Sequence, residues 1–321
     1  MNRRIINRVL LTKKHIKMKP VEIIKLSIRL LLGGMFITSA ILKLISIDEF
    51  ELYIYSFNFF DFVTVTFLSR LLVAFEFLLG ILLIFKVKYQ YSWWLSMITI
   101  ASFTLFLVYT AIFRNDTNCH CFGELVELNP LSSIFKNLLT IIFLLLIRGK
   151  EDSHFRFKKV IVGILIATSL LLPFIVNPMD ALYNKIFSPE KEMNLTLFEE
   201  LKQDTAINHF NVDHGNYLIA FYISGCKYCR LGMKKINSIV EKNEINIDKV
   251  KIMIAGSAER IENFKTDTES TKYNFYLIPP HTIINLVYGS FPTFALVENG
   301  KIKRVMNLRG LDERELVDFL K

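Results

Sequence analysis

Cysteine is scarce in this chain: there are four in 321 residues, and none falls inside a long apolar run. A thiol relay drawing electrons from the cytoplasm would need cysteines within membrane spans or on the inner face, so that route is not expected. Histidine is scarce too, with six, and His209, His214 and His281 stand apart, leaving no pair to complete a zinc site beside two cysteines. No glycine-rich phosphate loop occurs among the 13 glycines, and no internal repeat is evident. Net charge is missing from the C-terminal part, where residues 188–321 hold 18 Lys/Arg against 18 Asp/Glu. The whole excess of +9 therefore lies in the N-terminal part.

Apolar residues are abundant. A hydrophobic share of 52%, 28 phenylalanines and a mean hydropathy of +0.37 exceed what a soluble domain of this length carries. A bilayer core of about 30 Å takes roughly 20 apolar residues per helix, and five stretches approach that size. They lie near residues 21–45, 66–85, 93–113, 131–147 and 160–176. From about residue 190, short β-rich runs alternate with amphipathic helical patterns, which is the signature of a soluble α/β domain.

Lys and Arg mark the loops that stay in the cytoplasm. Seven basic residues fall in the first twenty, Lys86 and Lys88 follow the second span, and "RGKEDSHFRFKK" follows the fourth. The N-terminus is therefore expected inside the cell, with residues 46–65, 114–130 and everything after 176 outside, in the inner (cytoplasmic) membrane. The basic start is not assigned to nucleic-acid binding. The apolar run behind it is too long for a signal peptide and lacks a small-residue cleavage site, so it is expected to remain as an anchor. Partners are then the lipid bilayer and extracytoplasmic proteins with cysteine thiols.

This topology puts all four cysteines in one oxidising compartment, as two close pairs. In "NYLIAFYISGCKYCRLGMKKINSIVEKN" a buried-type strand, residues 216–224, breaks at Gly225, and Cys226 opens a helical pattern with apolar Leu231, Met233, Ile236 and Ile239. Free amides and the dipole at a helix N-terminus favour thiolate over thiol, so Cys226 is expected to attack and Cys229, one turn on, to resolve the mixed disulfide. The other pair, Cys119 and Cys121 in "NDTNCHCFGELVELNP", has three open roles. It can exchange with Cys226 and Cys229, staple its loop, or bind a metal through His120, although no fourth ligand is near. Exchange is the expectation, because a bridge across one residue closes a small strained ring. A membrane quinone could then accept electrons from Cys119 and Cys121.

Ionisable residues inside spans are costly and mark functional candidates. Arg29, Lys43, Arg70 and Glu76 form that set. Lys43 and Arg70 can snorkel from span ends, while Glu76 at mid-depth needs a partner, expected to be Arg70 or Lys43, in a structural pair or a proton path. Trp93, Trp94, Tyr53, Tyr55 and Tyr91 read as interface belts. A short helix is expected after Pro279 and Pro280, with His281 on the surface.

The strand, C-x-x-C, helix, late "FPTFALV" and closing "LDERELVDFLK" of residues 190–321 resemble the thioredoxin-like fold. The resemblance implies that Pro292 is the cis-proline facing the redox pair; Phe291 departs from the Thr, Val or Ser usual before it. "RLLLGGMFITSAILKLISIDEF" and "RLLVAFEFLLGILLIF", through Arg29, Gly33, Phe36, Ser39, Lys43, Arg70, Glu76 and Gly80, resemble the DoxX-like group. With Cys119 to Gly123 as C-x-C-F-G, the resemblance narrows to the methylamine-utilisation MauE family, which implies a four-helix membrane bundle tied to disulfide chemistry in a partner.

The expected architecture is an all-α transmembrane bundle followed by a thioredoxin-like α/β domain. Its parts are a basic cytoplasmic start (1–20), a DoxX/MauE-like four-helix domain (21–148), a cytoplasmic loop with a fifth span (149–176), a linker (177–193) and the thioredoxin-like domain (194–321). The expected function is membrane-anchored thiol:disulfide exchange, oxidising or isomerising in preference to reducing. The alternative is a non-catalytic assembly factor whose C-x-x-C holds clients.

Overall fold

In a computed structural model of the chain, residues 20–114, 119, 123, 128–149, 158–187, 191–203 and 210–321 are described. His120, Cys121, His209 and the basic N-terminus lie outside the described residues. The chain folds as two compact units.

The first unit is helical. It holds most of α1 (Pro20–Ile45), the second half of α3 (Phe62–Ile84), α4 (Tyr89–Phe113), α5 (Pro130–Leu146) and most of α6 (Lys158–Val176). Of the five expected spans, α1, α3 and α4 are long and apolar enough to cross a membrane. With 17 and 19 residues, α5 and α6 sit at the short end of the spanning range. Small residues set the closest crossing: a Cβ on Gly33 would lie 2.8 Å from the Gly80 carbonyl oxygen, and one on Gly80 2.7 Å from that of Gly33. Backbones in an apolar medium pack this closely only where side chains are absent. Between α4 and α5, Trp93 Nε1 donates to the Leu144 carbonyl at 2.7 Å and Tyr89 Oη to that of Ile147 at 2.7 Å. Trp93 is thus buried in helix packing and does not form part of an interface belt; Trp94 and Tyr91 are exposed.

The second unit contains the end of α1, α2 (Ile47–Tyr55), the first half of α3, the end of α6, and everything from α7 (Asp180–Phe187) onward. Two elements were not anticipated. The gap between the first two spans forms α2, and the linker forms α7. Then come α8 (Leu195–Gln203), β1 (Asn216–Ile223), α9 (Lys227–Lys242), β2 (Val250–Ala255), α10 (Ala258–Asp267), β3 (Phe275–Leu277), α11 (Pro280–Leu286), β4 (Thr293–Glu298), β5 (Lys301–Met306) and α12 (Glu313–Leu320). The sheet order is β3-β2-β1-β4-β5, with β1, β2 and β3 parallel and β4 and β5 antiparallel. That order is thioredoxin-like.

Being central, β1 is apolar on both faces. Leu218, Ala220 and Tyr222 meet α9, Phe264 of α10 and α12, while Ile219 and Phe221 meet α8 and α11. Leu52 and Tyr55 of α2, with Phe62 and Val65 of α3, belong to the first of these cores. Tyr55, expected in an interface belt, is fully buried and donates from Oη to Glu313 Oε1 at 2.7 Å.

Candidate active site

The site begins where β1 ends. Ser224 N donates to the Ala255 carbonyl at 3.0 Å, and after Gly225 the Cys226 N–H turns back to the Ile223 carbonyl at 3.0 Å. Cys226 is left extended, with φ −84° and ψ 121°, as the N-cap of α9. Its sulfur takes the place of a capping oxygen and accepts the Cys229 N–H at 3.3 Å.

Position and environment make the two sulfurs unequal. Cys226 is half-buried and Cys229 fully buried, and both are free thiols. The Cys229 thiol, backbone amides of Cys229 and Tyr228, and the nearby Arg230 guanidinium outweigh burial and bring the Cys226 thiol down to about 6. The hydrogen bond to Cys226, together with burial, pushes the Cys229 thiol far up. Near neutral pH, therefore, one sulfur is an accessible thiolate and the other a protected thiol.

The Phe291–Pro292 peptide is cis, and Pro292 is buried. Pro292 is brought to α9 one turn beyond Cys229: a Cβ on Gly232 would lie 3.5 Å from Pro292 Cγ and 2.9 Å from Phe294 Cζ. Phe291 and Cys226 pack at the margin of the same core. His281 is exposed at the start of α11. Tyr222, four residues before Cys226, is fully buried among Phe264, Phe294 and Cys229, and its hydroxyl has no hydrogen-bond partner among the described residues.

Cys119 lies in the helical unit, 2% exposed, packed with Leu107, Phe103, Leu128 and Ile134. It is disulfide-bonded. Its N–H donates to the Leu128 carbonyl at 2.8 Å, and Ser133 Oγ lies 3.0 Å from its sulfur. Gly123 has φ +67°, and a Cβ there would fall 2.7 Å from the Leu42 carbonyl oxygen and into Ser46 Oγ. The glycine of C-x-C-F-G is thus demanded twice, by backbone conformation and by the end of α1.

Arg70 and Lys43 are buried instead of snorkelling. Arg70 pairs with Glu51 and also donates from Nε to the Asn177 carbonyl at 2.7 Å, from Nη1 to that of Thr66 at 2.6 Å and from Nη2 to that of Pro178 at 3.1 Å. Glu51 lies in α2, outside the expected spans. Burial, then Asp180 and Asp48, push its carboxyl up to about 7 against the pull of Arg70. Lys43 sits over the Phe50 ring at 5.6 Å, and Glu76 accepts from Ser39 Oγ at 3.0 Å. Arg29 Nε is buried without a hydrogen-bond partner among the described residues, fourteen positions before Lys43 on the same helix, or about 21 Å of rise.

Residues 21–149 match the family model of methylamine utilisation protein MauE, so the membrane part carries a MauE domain. Protein TlpB of Flavobacterium psychrophilum is 27% identical over 272 residues, which cover 68% of this chain and 72% of TlpB. A secreted disulfide oxidoreductase of Mycobacterium tuberculosis is 12% identical with a TM-score of 0.26, over 33% of this chain and 80% of its own. The thioredoxin domain of a thiol-disulfide oxidoreductase from Bacteroides vulgatus is 16% identical with a TM-score of 0.28, over 34% and 81%. StoA from Bacillus subtilis is 16% identical with a TM-score of 0.27, over 34% and 85%.

Proposed function

We propose that the protein is a membrane-anchored thiol:disulfide oxidoreductase whose thioredoxin-like domain acts on cysteine thiols of proteins outside the cytoplasm. The observation that carries this reading is the inequality of Cys226, a half-exposed sulfur held near a pKa of about 6 at a helix N-terminus, and Cys229, buried and protonated behind it. The Lys/Arg distribution supports the extracytoplasmic placement.

In the oxidising direction, a client thiolate attacks the Cys226–Cys229 disulfide at Cys226, and Cys229 leaves and takes up a proton. A second client thiolate then attacks the client sulfur of the mixed disulfide. The client disulfide forms, and Cys226 leaves as the stabilised thiolate. Two electrons pass from client to C-x-x-C; of the two client thiol protons, one ends on Cys229 and the other goes to solvent. In the reverse direction the Cys226 thiolate attacks a client disulfide and Cys229 resolves the adduct.

We further propose that Cys119 and Cys121 exchange with this pair. A disulfide passing from the loop to the C-x-x-C dithiol moves two electrons the other way and needs no further reagent; a membrane quinone is the class of acceptor that would then reoxidise the loop. The burial of Cys119 in a disulfide beside Ser133 supports a loop pair kept from adventitious thiols.

The test is Cys229→Ala in full-length protein in cells. Mixed disulfides through Cys226 are expected to accumulate on non-reducing gels and to vanish in the Cys226→Ser, Cys229→Ala double variant. An assembly factor that merely holds clients would bind them without either cysteine, and no adduct would appear.

A further inference from the structure

The short helix α7 is fastened on one face and open on the other. Asn184 Nδ2 donates to the Arg309 carbonyl at 2.6 Å, the Arg309 guanidinium lies 4.4 Å from the Tyr183 ring centroid, and Asp180 pairs with Lys235 of α9 at 3.5 Å. The inward face therefore belongs to the thioredoxin-like domain. Leu182, Lys185 and Ile186, spaced i, i+3 and i+4, form the other side, and all three are exposed.

The turn that leads into α7 is held from two sides. Arg70 of α3 donates to the carbonyls of Asn177 and Pro178, and Arg309 donates from Nη2 to Asn177 Oδ1 at 2.5 Å and from Nη1 to the Pro178 carbonyl at 3.4 Å. With both ends of the turn gripped by guanidinium groups, α7 leaves α6 in a set direction and its outward face is set with it.

What lies beside that face is membrane helix. α3 is long and apolar enough to cross a membrane, and its first half meets the end of α6 through Phe67 and Phe174, with ring centroids 5.7 Å apart. Exposed apolar side chains run from Phe67 to Leu171 and Ile175 on α6, and resume at Leu182 and Ile186. All of them lie in the second unit. Scattered exposed apolar residues are ordinary on a water-facing surface, but this run starts on a spanning helix and continues across the held turn. Lys185 stands between the last two, where an ammonium reaches lipid phosphate while its stem lies on apolar surface. A second copy of the chain fits this face poorly, since two apolar side chains fall well short of the roughly 800 Å² that each partner buries in a stable interface.

We propose that α7 is an interfacial helix: Leu182 and Ile186 enter the bilayer surface beside the end of α6, Lys185 meets lipid phosphate, and the opposite face carries the thioredoxin-like domain. The inference rests on the membrane placement of α3 and adds a lateral contact with lipid that seats the redox domain at the membrane instead of leaving it on a tether.

The test uses the full chain in vesicles of phosphatidylcholine and phosphatidylglycerol whose acyl chains carry bromine near the headgroup, which quenches nearby tryptophan. Leu182→Trp and Ile186→Trp are compared with Phe67→Trp on α3 and with Leu277→Trp, an exposed site on β3, after subtracting the wild-type emission of Trp93 and Trp94. The added emission at 182 and 186 is expected to lose most of its intensity to bromolipid, as at 67, while that at 277 stays bright and is quenched by acrylamide. Lys185→Glu should weaken the loss at 182 and 186 as the share of phosphatidylglycerol rises. Alkylation of Cys226 at the wild-type rate in each variant shows a folded soluble domain. If 182 and 186 behave like 277, the interfacial helix is overturned and the redox chemistry stands. If they escape both bromolipid and acrylamide, protein covers the face, a second copy included, and the inference is overturned as well. If 67 also escapes bromolipid, the membrane placement fails and the interfacial helix falls with it.

Discussion

The two cysteine motifs present sulfur to their surroundings in opposite ways. Cys226 caps a helix at the end of the central strand, half-buried, and receives the Cys229 amide. Cys119 sits in a short segment between two apolar helices, 2% exposed, walled by Leu107 and Leu128, with a serine hydroxyl as its polar neighbour. The first environment lowers the cost of a thiolate; the second keeps a bridged sulfur from solvent thiols.

The sharpest way to break the comparison is to remove the support of one motif and leave the other. Arg70 joins α2, through Glu51, to the carbonyls of Asn177 and Pro178 after α6. Arg70→Met leaves Glu51 buried without its cation and two carbonyls without a donor, at an expected cost of about 3–5 kcal/mol. Adding Glu51→Leu should recover much of that loss, since the destabilisation comes from the unpaired carboxylate. Thermal unfolding in detergent and trypsin cleavage within residues 46–65 would follow it, with alkylation of Cys226 staying at the wild-type rate because β1 is untouched. Loss of Cys226 reactivity alongside α2 would show that the two motifs share one support.

The second way is titration. With its pKa near 6, Cys226 is about nine-tenths thiolate at pH 7, against about one-hundredth for a thiol titrating near 9. In the reduced protein, alkylation of Cys226 by iodoacetamide should rise as pH climbs through about 6 and level off above pH 7, while Cys229 stays unmodified. The sign follows from a depressed pKa: thiolate is gained with rising pH and lost below 6, and the stabilisation it gives the folded dithiol is full above about 9 and declines as pH falls from there to about 6. A midpoint near 8 or above would mean that the amides and Arg230 do not act on Cys226.

These two tests divide along what the sequence makes legible. The redox end of the soluble domain is local: strand, glycine, C-x-x-C and helix lie within thirty residues, and their periodicity carries the geometry without any distant partner. Pro292 needed a family resemblance, because nothing in "FPT" alone points at α9. The partners of α2 are not legible in the sequence, for a physical reason. Glu51 meets Arg70 nineteen residues away and Tyr55 meets Glu313 across 258, so no window of helical or strand period contains either pair. Tyr55 looked like a belt residue because an aromatic near the end of an apolar run has the same pattern whether it faces lipid headgroups or a carboxylate. The apolar spacing of Ile47, Phe50, Ile54 and Tyr55 fits a helix, within the stretch expected to be the gap between spans.

The smallest expected effect tests how dry the floor beneath the C-x-x-C is. Tyr222 rises from β1 into the same core as Cys229, with ring contacts to Phe264 at 5.4 Å and Phe294 at 6.0 Å, and its hydroxyl is buried without a partner among the described residues. A buried hydroxyl loses its bonds to water on folding and here regains none, so it contributes a penalty that a phenylalanine of the same shape lacks. Tyr222→Phe is expected to leave the fold unchanged and to raise stability by up to about 1 kcal/mol, seen as a higher midpoint in denaturant at an unchanged slope. The pH midpoint of Cys226 should hold, since the groups that depress it are the Cys229 thiol, the amides at the head of α9 and Arg230. A loss of more than about 1 kcal/mol would mean that the hydroxyl does have a partner, and a shifted Cys226 midpoint would place that partner at the redox pair.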